Sequence, residues 1–138
     1  MSDKLALSDD DGCFACGKSN PIGLKLDFAM EGEEYVTYFV PEKAHQGWLG
    51  IAHGGIVSTV MDEVMARSLH VTGVKAVTGE MTVRFVHPAK VGARIRFAGQ
   101  VDSENGRVIQ CSARATDEDG NRIAEASAKM VKVTDYGK

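Results

Sequence analysis

The sequence predicts an α+β domain in which one long helix covers a largely antiparallel sheet of about six strands. Three observations lead there. The segment from Gly54 to about Val71 repeats its apolar residues with the 3.6-residue period of a helix. From Lys75 onward the period changes to two and stays there through four segments. The turn sequences between those segments, above all Asn105-Gly106, are hairpin signals.

The elements follow in chain order. Residues 1–12 are polar and read as a flexible tail, and residues 13–138 as a single domain. In "CFACGKSNPIGLKLDF", Asn20-Pro21 and Gly23 break regular structure before Leu24, Leu26 and Phe28 alternate as a first strand. "EEYVTYFVP" is a second strand, stopped by Pro41. "EKAHQGWLGIAHGG" is a loop by composition. On a wheel turning about 100° per residue, Ile56, Val57, Val60, Met61, Val64, Met65 and Ser68 share one broad arc. Glu63, Arg67 and His70 lie opposite, and Gly73 is a stop signal. Beyond it, Met81, Val83 and Phe85 take one inward phase, and Ile95, Phe97 and Val101 the next. Ile109, Cys111, Ala113 and Ala115 form a third. After the turn "DEDGN", Ala124, Ala126, Ala128 and Met130 form a fourth, whose small residues suit something bulky lying on the sheet. A sheet curled round one helix leaves exposed edges, which invite pairing with a second copy, so at least a dimer is expected.

Composition narrows the functional classes. A chain of 138 residues, 43% hydrophobic, suits one domain with a buried core. The net charge of −3 and the scattered Lys and Arg give no basic stripe, so nucleic acid is not an expected partner. No apolar run approaches the roughly 20 residues that span a bilayer, and the acidic N-terminus does not resemble a secretory signal. A soluble, cytoplasmic protein without membrane association is expected. Three cysteines, an odd number, argue against a disulfide framework. Cys13 and Cys16 supply half of a zinc site at most, since no second pair follows and Cys111 falls in a core phase, so no metal is expected.

Two features carry chemistry. His53-Gly54-Gly55 stands at the start of the helix, where unsatisfied N–H groups and the positive end of the helix dipole favour partial negative charge. The glycines remove the Cβ atoms that would hold a substrate oxygen off the backbone, as an oxyanion site requires. A flexible loop-to-helix junction explains the same residues. Asp62 and Glu63 form the second feature. Glu63 and Arg67 are spaced as an i,i+4 ion pair. Asp62 has no such partner and sits on the shoulder of the apolar arc, either as a partly desolvated base or nucleophile or as a surface carboxylate.

"GWLGIAHGGIVSTVMDEVMA" followed by "TGEMTVRFVHPAKVGARIRFAGQV" resembles the hotdog-fold acyl-CoA thioesterases, especially the branch similar to phenylacetyl-CoA thioesterases. "CFACGKSNPIGLKL" is similar to members of that branch, and the resemblance covers roughly residues 13–133. It implies that the helix is wrapped by the sheet, that two protomers join sheets edge to edge as a homodimer, or a tetramer of two such dimers, and that active sites lie at the dimer interface. It implies an acidic catalytic residue nine positions after the motif histidine, which is Asp62 rather than Glu63. It further implies that the Gly55 N–H polarises the thioester carbonyl, with Gly54 beside it, and that His53 helps hold loop and substrate.

Many relatives carry Asn six positions before that histidine, where this chain has Gly47. Gln46 or His45 takes over the role, or the role is absent. Thr78 corresponds approximately to a strand hydroxyl used by some relatives. Lys90 and Arg94, around the "HPAKVG" turn, are candidates for coenzyme A phosphates or ordinary solubilising charges. Trp48 is a packing residue or lines an acyl pocket. The implied reaction is hydrolysis of an acyl-CoA or another acyl thioester, and it requires no cofactor. A non-catalytic acyl-CoA-binding module is the alternative, with a hydratase or dehydratase ranked after it.

Overall fold

The computed structural model describes residues 7–133. Its order is β1 (Phe28–Glu31), β2 (Glu34–Phe39), a 3-10 turn (Lys43–His45), α1 (Gly54–His70), β3 (Ala76–Phe85), β4 (Ile95–Asn105), β5 (Val108–Asp117) and β6 (Arg122–Lys132). The six strands form one sheet ordered β1-β2-β4-β5-β6-β3, with every neighbouring pair antiparallel. The sheet curls round α1, which is the hotdog arrangement that the resemblance implies.

The helix lies in the concave face because the sheet offers small residues there. Val57, Val60, Met61, Val64, Met65 and Leu69 are buried against Ile95, Phe97, Ile109, Cys111 and the alanines at 113, 115, 124, 126 and 128. Each large apolar side chain enclosed in this way contributes about 1.5–3 kcal/mol. Ser68 joins the buried face by donating to the Met65 carbonyl at 2.6 Å, so its hydroxyl is satisfied. Contact is closest at Gly99 of β4, where a Cβ would stand 2.8 Å from the Val64 carbonyl oxygen. The helix ends with Val71 as its C-cap, and Gly73 takes φ +90° just beyond it.

Three sequence expectations change. Leu24 and Leu26 lie outside any strand: their N–H groups bond the carbonyls of Phe14 and Ala15 at 2.8 and 3.0 Å, which ties this stretch to the cysteine turn before β1 begins at Phe28. Phe85 is 54% exposed rather than inward, because it ends edge strand β3 beside the start of α1. Val101 is also exposed, next to a bulge between Val101 and Ser103 where β4 leaves its regular pairing with β5. Residues 1–6 of the expected tail lie outside the described residues. At its other end, Asp11 accepts from the Lys18 N–H and the Ser19 hydroxyl at 3.0 and 2.7 Å.

Gly99→Ala is expected to lower unfolding stability by about 1–3 kcal/mol, read as a shift of the urea midpoint at fixed protein concentration. An unchanged midpoint would mean that helix and sheet separate freely at this crossing.

Candidate active site

The start of α1 is built by the loop before it. Within residues 45–53, the Gly47 N–H bonds Ile51 O at 2.9 Å, the His53 N–H bonds His45 O at 2.8 Å, and the Gln46 side chain accepts from the Gly50 N–H at 3.1 Å. His45 Nδ1 accepts from the Glu42 N–H at 2.9 Å, and its ring packs against Phe39. Both candidates for the missing asparagine therefore brace the loop from within. A side chain at Gly47 would meet the His53 ring and Cα at 3.4 Å, so the loop is fitted closely around His53.

His53 is the N-cap of α1, and its Nδ1 accepts from the Gly55 N–H at 2.8 Å. The donor expected to face a substrate oxygen is thus held by the side chain expected beside it. An imidazole nitrogen fills the place that a serine or aspartate oxygen takes at other helix starts. The Gly54 N–H has no hydrogen-bond partner among the described residues. Over Gly54 lies Phe85, whose ring a Cβ there would meet at 3.4 Å. Gly54 and Phe85 border an apolar cleft of about 320 Å³, lined by Ile51, Val57, Val86 and Ile123. Trp48 and Leu49, each 84% exposed, project from the loop tip, so Trp48 takes no part in the core.

Asp62 lies two turns along the helix. It is half-buried, and its Oδ1 accepts from the Thr78 hydroxyl of β3 at 2.6 Å. Thr78 Oγ1 also lies 3.4 Å from Met130 Sδ, which holds the hydroxyl between helix and sheet. A bulge follows at once, between Thr78 and Glu80. It turns the edge strand where the carboxylate meets it.

Glu63 differs from its expected role. Among the described residues no ion pair joins it to Arg67, whose guanidinium lies over the Phe28 ring at 5.4 Å. Glu63 instead meets the cysteine turn, with Cys13 Sγ 3.8 Å from its Oε2. Burial, and after it the neighbouring Glu63, push the Cys16 thiol well above its ordinary range. Cys111, in the core, is pushed up to about 11 by burial. Sequence spacing could not find this neighbour of Glu63, because the two partners are 50 positions apart.

Lys90 and Arg94 do not form one cationic cluster. Lys90 bridges to Ile51 through its backbone and borders a cleft with Asp117, Glu118 and Asp119, whereas the Arg94 guanidinium lies 3.9 Å from the Tyr38 ring centroid.

Comparison with known proteins agrees with this architecture. A family model described as the thioesterase superfamily matches residues 49–124, which include the end of the loop, all of α1 and β3 to β5. The chain is 28% identical over 71 residues to acyl-coenzyme A thioesterase 13 of Mus musculus, an alignment covering 50% of this chain and 51% of that protein. The match therefore spans about half the length of this curated relative. Among solved structures, the E. coli PaaI protein from the phenylacetic acid degradation operon superposes with TM-score 0.74 at 18% identity, covering 80% of this chain and 81% of that one. A Streptococcus mutans UA159 protein bound to acetyl CoA gives 0.73 at 19%, covering 78% and 88%. Zebra fish thioesterase superfamily member 2 gives 0.74 at 18%, covering 86% and 90%. At these identities the structures establish a shared fold.

His53→Ala removes the acceptor for the Gly55 N–H and is expected to lower stability by about 0.5–2 kcal/mol in denaturant titrations, with His53→Ser recovering most of the loss. Equal loss in both variants would show that ring packing, not capping, is what the site requires.

Proposed function

Because the chain belongs to the thioesterase superfamily, we propose that it hydrolyses an acyl thioester of coenzyme A to a carboxylic acid and the free thiol. The observation that carries the reading is the Asp62 carboxylate, half-buried on the helix shoulder and fixed through one oxygen by Thr78 at 2.6 Å. Its other oxygen remains to take a proton from water or to attack the carbonyl carbon. In either route the carbon–sulfur bond breaks, and the oxygen that adds comes in the end from water.

In this reading the two halves of the site come from different chains. Gly55 and Asp62 are seven residues apart, about 10 Å along the helix axis, whereas reacting groups must approach within about 3–3.5 Å. One helix cannot present both to a single carbonyl. The outer edge of β3 is unpaired among the described residues and lies beside both Thr78 and Phe85, which suits pairing with the same strand of a second copy. In such a homodimer the start of one helix faces Asp62 of the partner subunit. The thioester oxygen then takes the Gly55 N–H in place of the His53 ring, with the Gly54 N–H beside it. The apolar cleft next to Gly54 receives the apolar part of the substrate. Lys90, exposed and in no ion pair among the described residues, is the cation we assign to the coenzyme's phosphates; Arg94 is already engaged with Tyr38. Residues 13–138 act as one catalytic domain in this reading.

Thiol release should be measured over aryl, short-chain and long-chain acyl-CoAs. Asp62→Asn is expected to lower kcat by about 10²–10⁴ on whichever substrate is turned over. Thr78→Val is expected to lower kcat by about tenfold with little change in KM, as loss of an orienting hydrogen bond does. Binding without thiol release from any of the panel would instead identify a non-catalytic acyl-CoA module. Split sites are tested by mixing inactive chains: Asp62→Asn combined with Gly55→Pro should recover about a quarter of the wild-type sites by random pairing. No recovery in mixed dimers would sink the shared site.

A further inference from the structure

The turn before β1 and the middle of α1 meet in a cluster that the hydrolytic chemistry leaves unused. Cys13 and Cys16 stand on a tight turn closed by the Gly17 N–H on the Cys13 carbonyl at 2.9 Å, and the Cys16 N–H points at Cys13 Sγ at 3.4 Å. Gly17 is required there, because a Cβ would overlap the Asp11 carbonyl and the Cys13 nitrogen. Across the turn stands Glu63, 50 positions away in the chain. One donor atom from each of Cys13, Cys16 and Glu63 lies within 4.8 Å of the other two, and all three residues are half-buried.

That arrangement is close to what a tetrahedral ion needs. With metal–sulfur bonds of about 2.3 Å and metal–oxygen bonds of about 2.0–2.2 Å, neighbouring donors stand about 3.5–3.8 Å apart. Cys13 Sγ and Glu63 Oε2 are already 3.8 Å apart, and the remaining contraction is at most about 1.3 Å, within reach of side-chain rotation. Charge points the same way. No ion pair to Glu63 is found among the described residues, and Arg67 one turn on lies over Phe28 with its Nε unpaired. Ligation by a metal ion displaces both thiol protons and balances the charge that this leaves beside Glu63.

We infer that Cys13, Cys16 and Glu63 bind one zinc ion, with the fourth position occupied by water from the adjoining cleft of about 430 Å³ bordered by Leu69, His70 and Val74. Two sulfurs and one carboxylate favour zinc over magnesium or calcium, which take oxygen shells. The ion pins the N-terminal turn to α1 at the residue next to Asp62. This assignment does not rest on the thioesterase reading and stands or falls separately.

The full chain, stripped with chelator under reducing conditions, is titrated with Zn²⁺ against a chromophoric competitor and with Co²⁺ by absorption. Expected are one ion per chain, a sulfur-to-cobalt charge-transfer band, and a higher melting temperature with zinc. Cys13→Ser, Cys16→Ser and Glu63→Gln should each weaken binding at least about tenfold and abolish the zinc-dependent rise in melting temperature. Cys111→Ser, in the core of β5, should leave affinity unchanged. Should the cysteine variants fail to fold, wild-type protein decides: zinc must slow alkylation of Cys13 and Cys16, mapped by mass spectrometry. Binding no tighter than micromolar, absence of the cobalt band, equal loss in Cys111→Ser, or alkylation indifferent to zinc would overturn the assignment.

Discussion

The close seating of α1 in the concave face of the sheet is the constraint from which the other features follow. A helix about 10 Å across fits inside a curled six-stranded sheet of this size only where side chains are small. Gly99 and the alanines of β5 and β6 supply that space, while valine and methionine on the helix fill it. Enlarging the residue at the tightest point would push helix and sheet apart together, because interiors at native density transmit strain. That rigidity keeps the shoulders of the helix in fixed register with the strands beside them.

Two adjacent acids show what this register accomplishes. Successive helical residues are turned by about 100°, so Asp62 and Glu63 look out on opposite sides of the buried arc. Asp62 reaches the edge strand and its threonine; Glu63 reaches the cysteine turn. The same two-residue stretch therefore serves two environments, one beside a hydroxyl, the other rich in sulfur. A shift of the helix by one residue would exchange them and destroy both.

Much of the fold was legible in the sequence because period is a direct consequence of geometry. The inward phases of β5 and β6 and the buried arc of α1 stand where the pattern put them. Expectations failed where the pattern continues but the surroundings do not. Phe85 keeps strand alternation yet emerges at an edge, and Leu24 and Leu26 alternate while their hydrogen bonds run to the cysteine turn. Of the candidate site, His53 and Asp62 stand out by their places in the helical pattern, with motif resemblance choosing Asp62 over Glu63, whereas Thr78 comes from the resemblance alone. The meeting of Glu63 with Cys13 and Cys16 left no local trace, since it depends on how the chain folds back over 50 positions.

The imidazole that caps α1 gives the helix start a built-in competitor. Any acceptor that came to the Gly55 N–H would have to evict the ring of His53 from a 2.8 Å hydrogen bond, so part of the intrinsic attraction of that spot is offset by the loss of an internal contact. The first turn of the helix is thus latched by a side chain of its own loop.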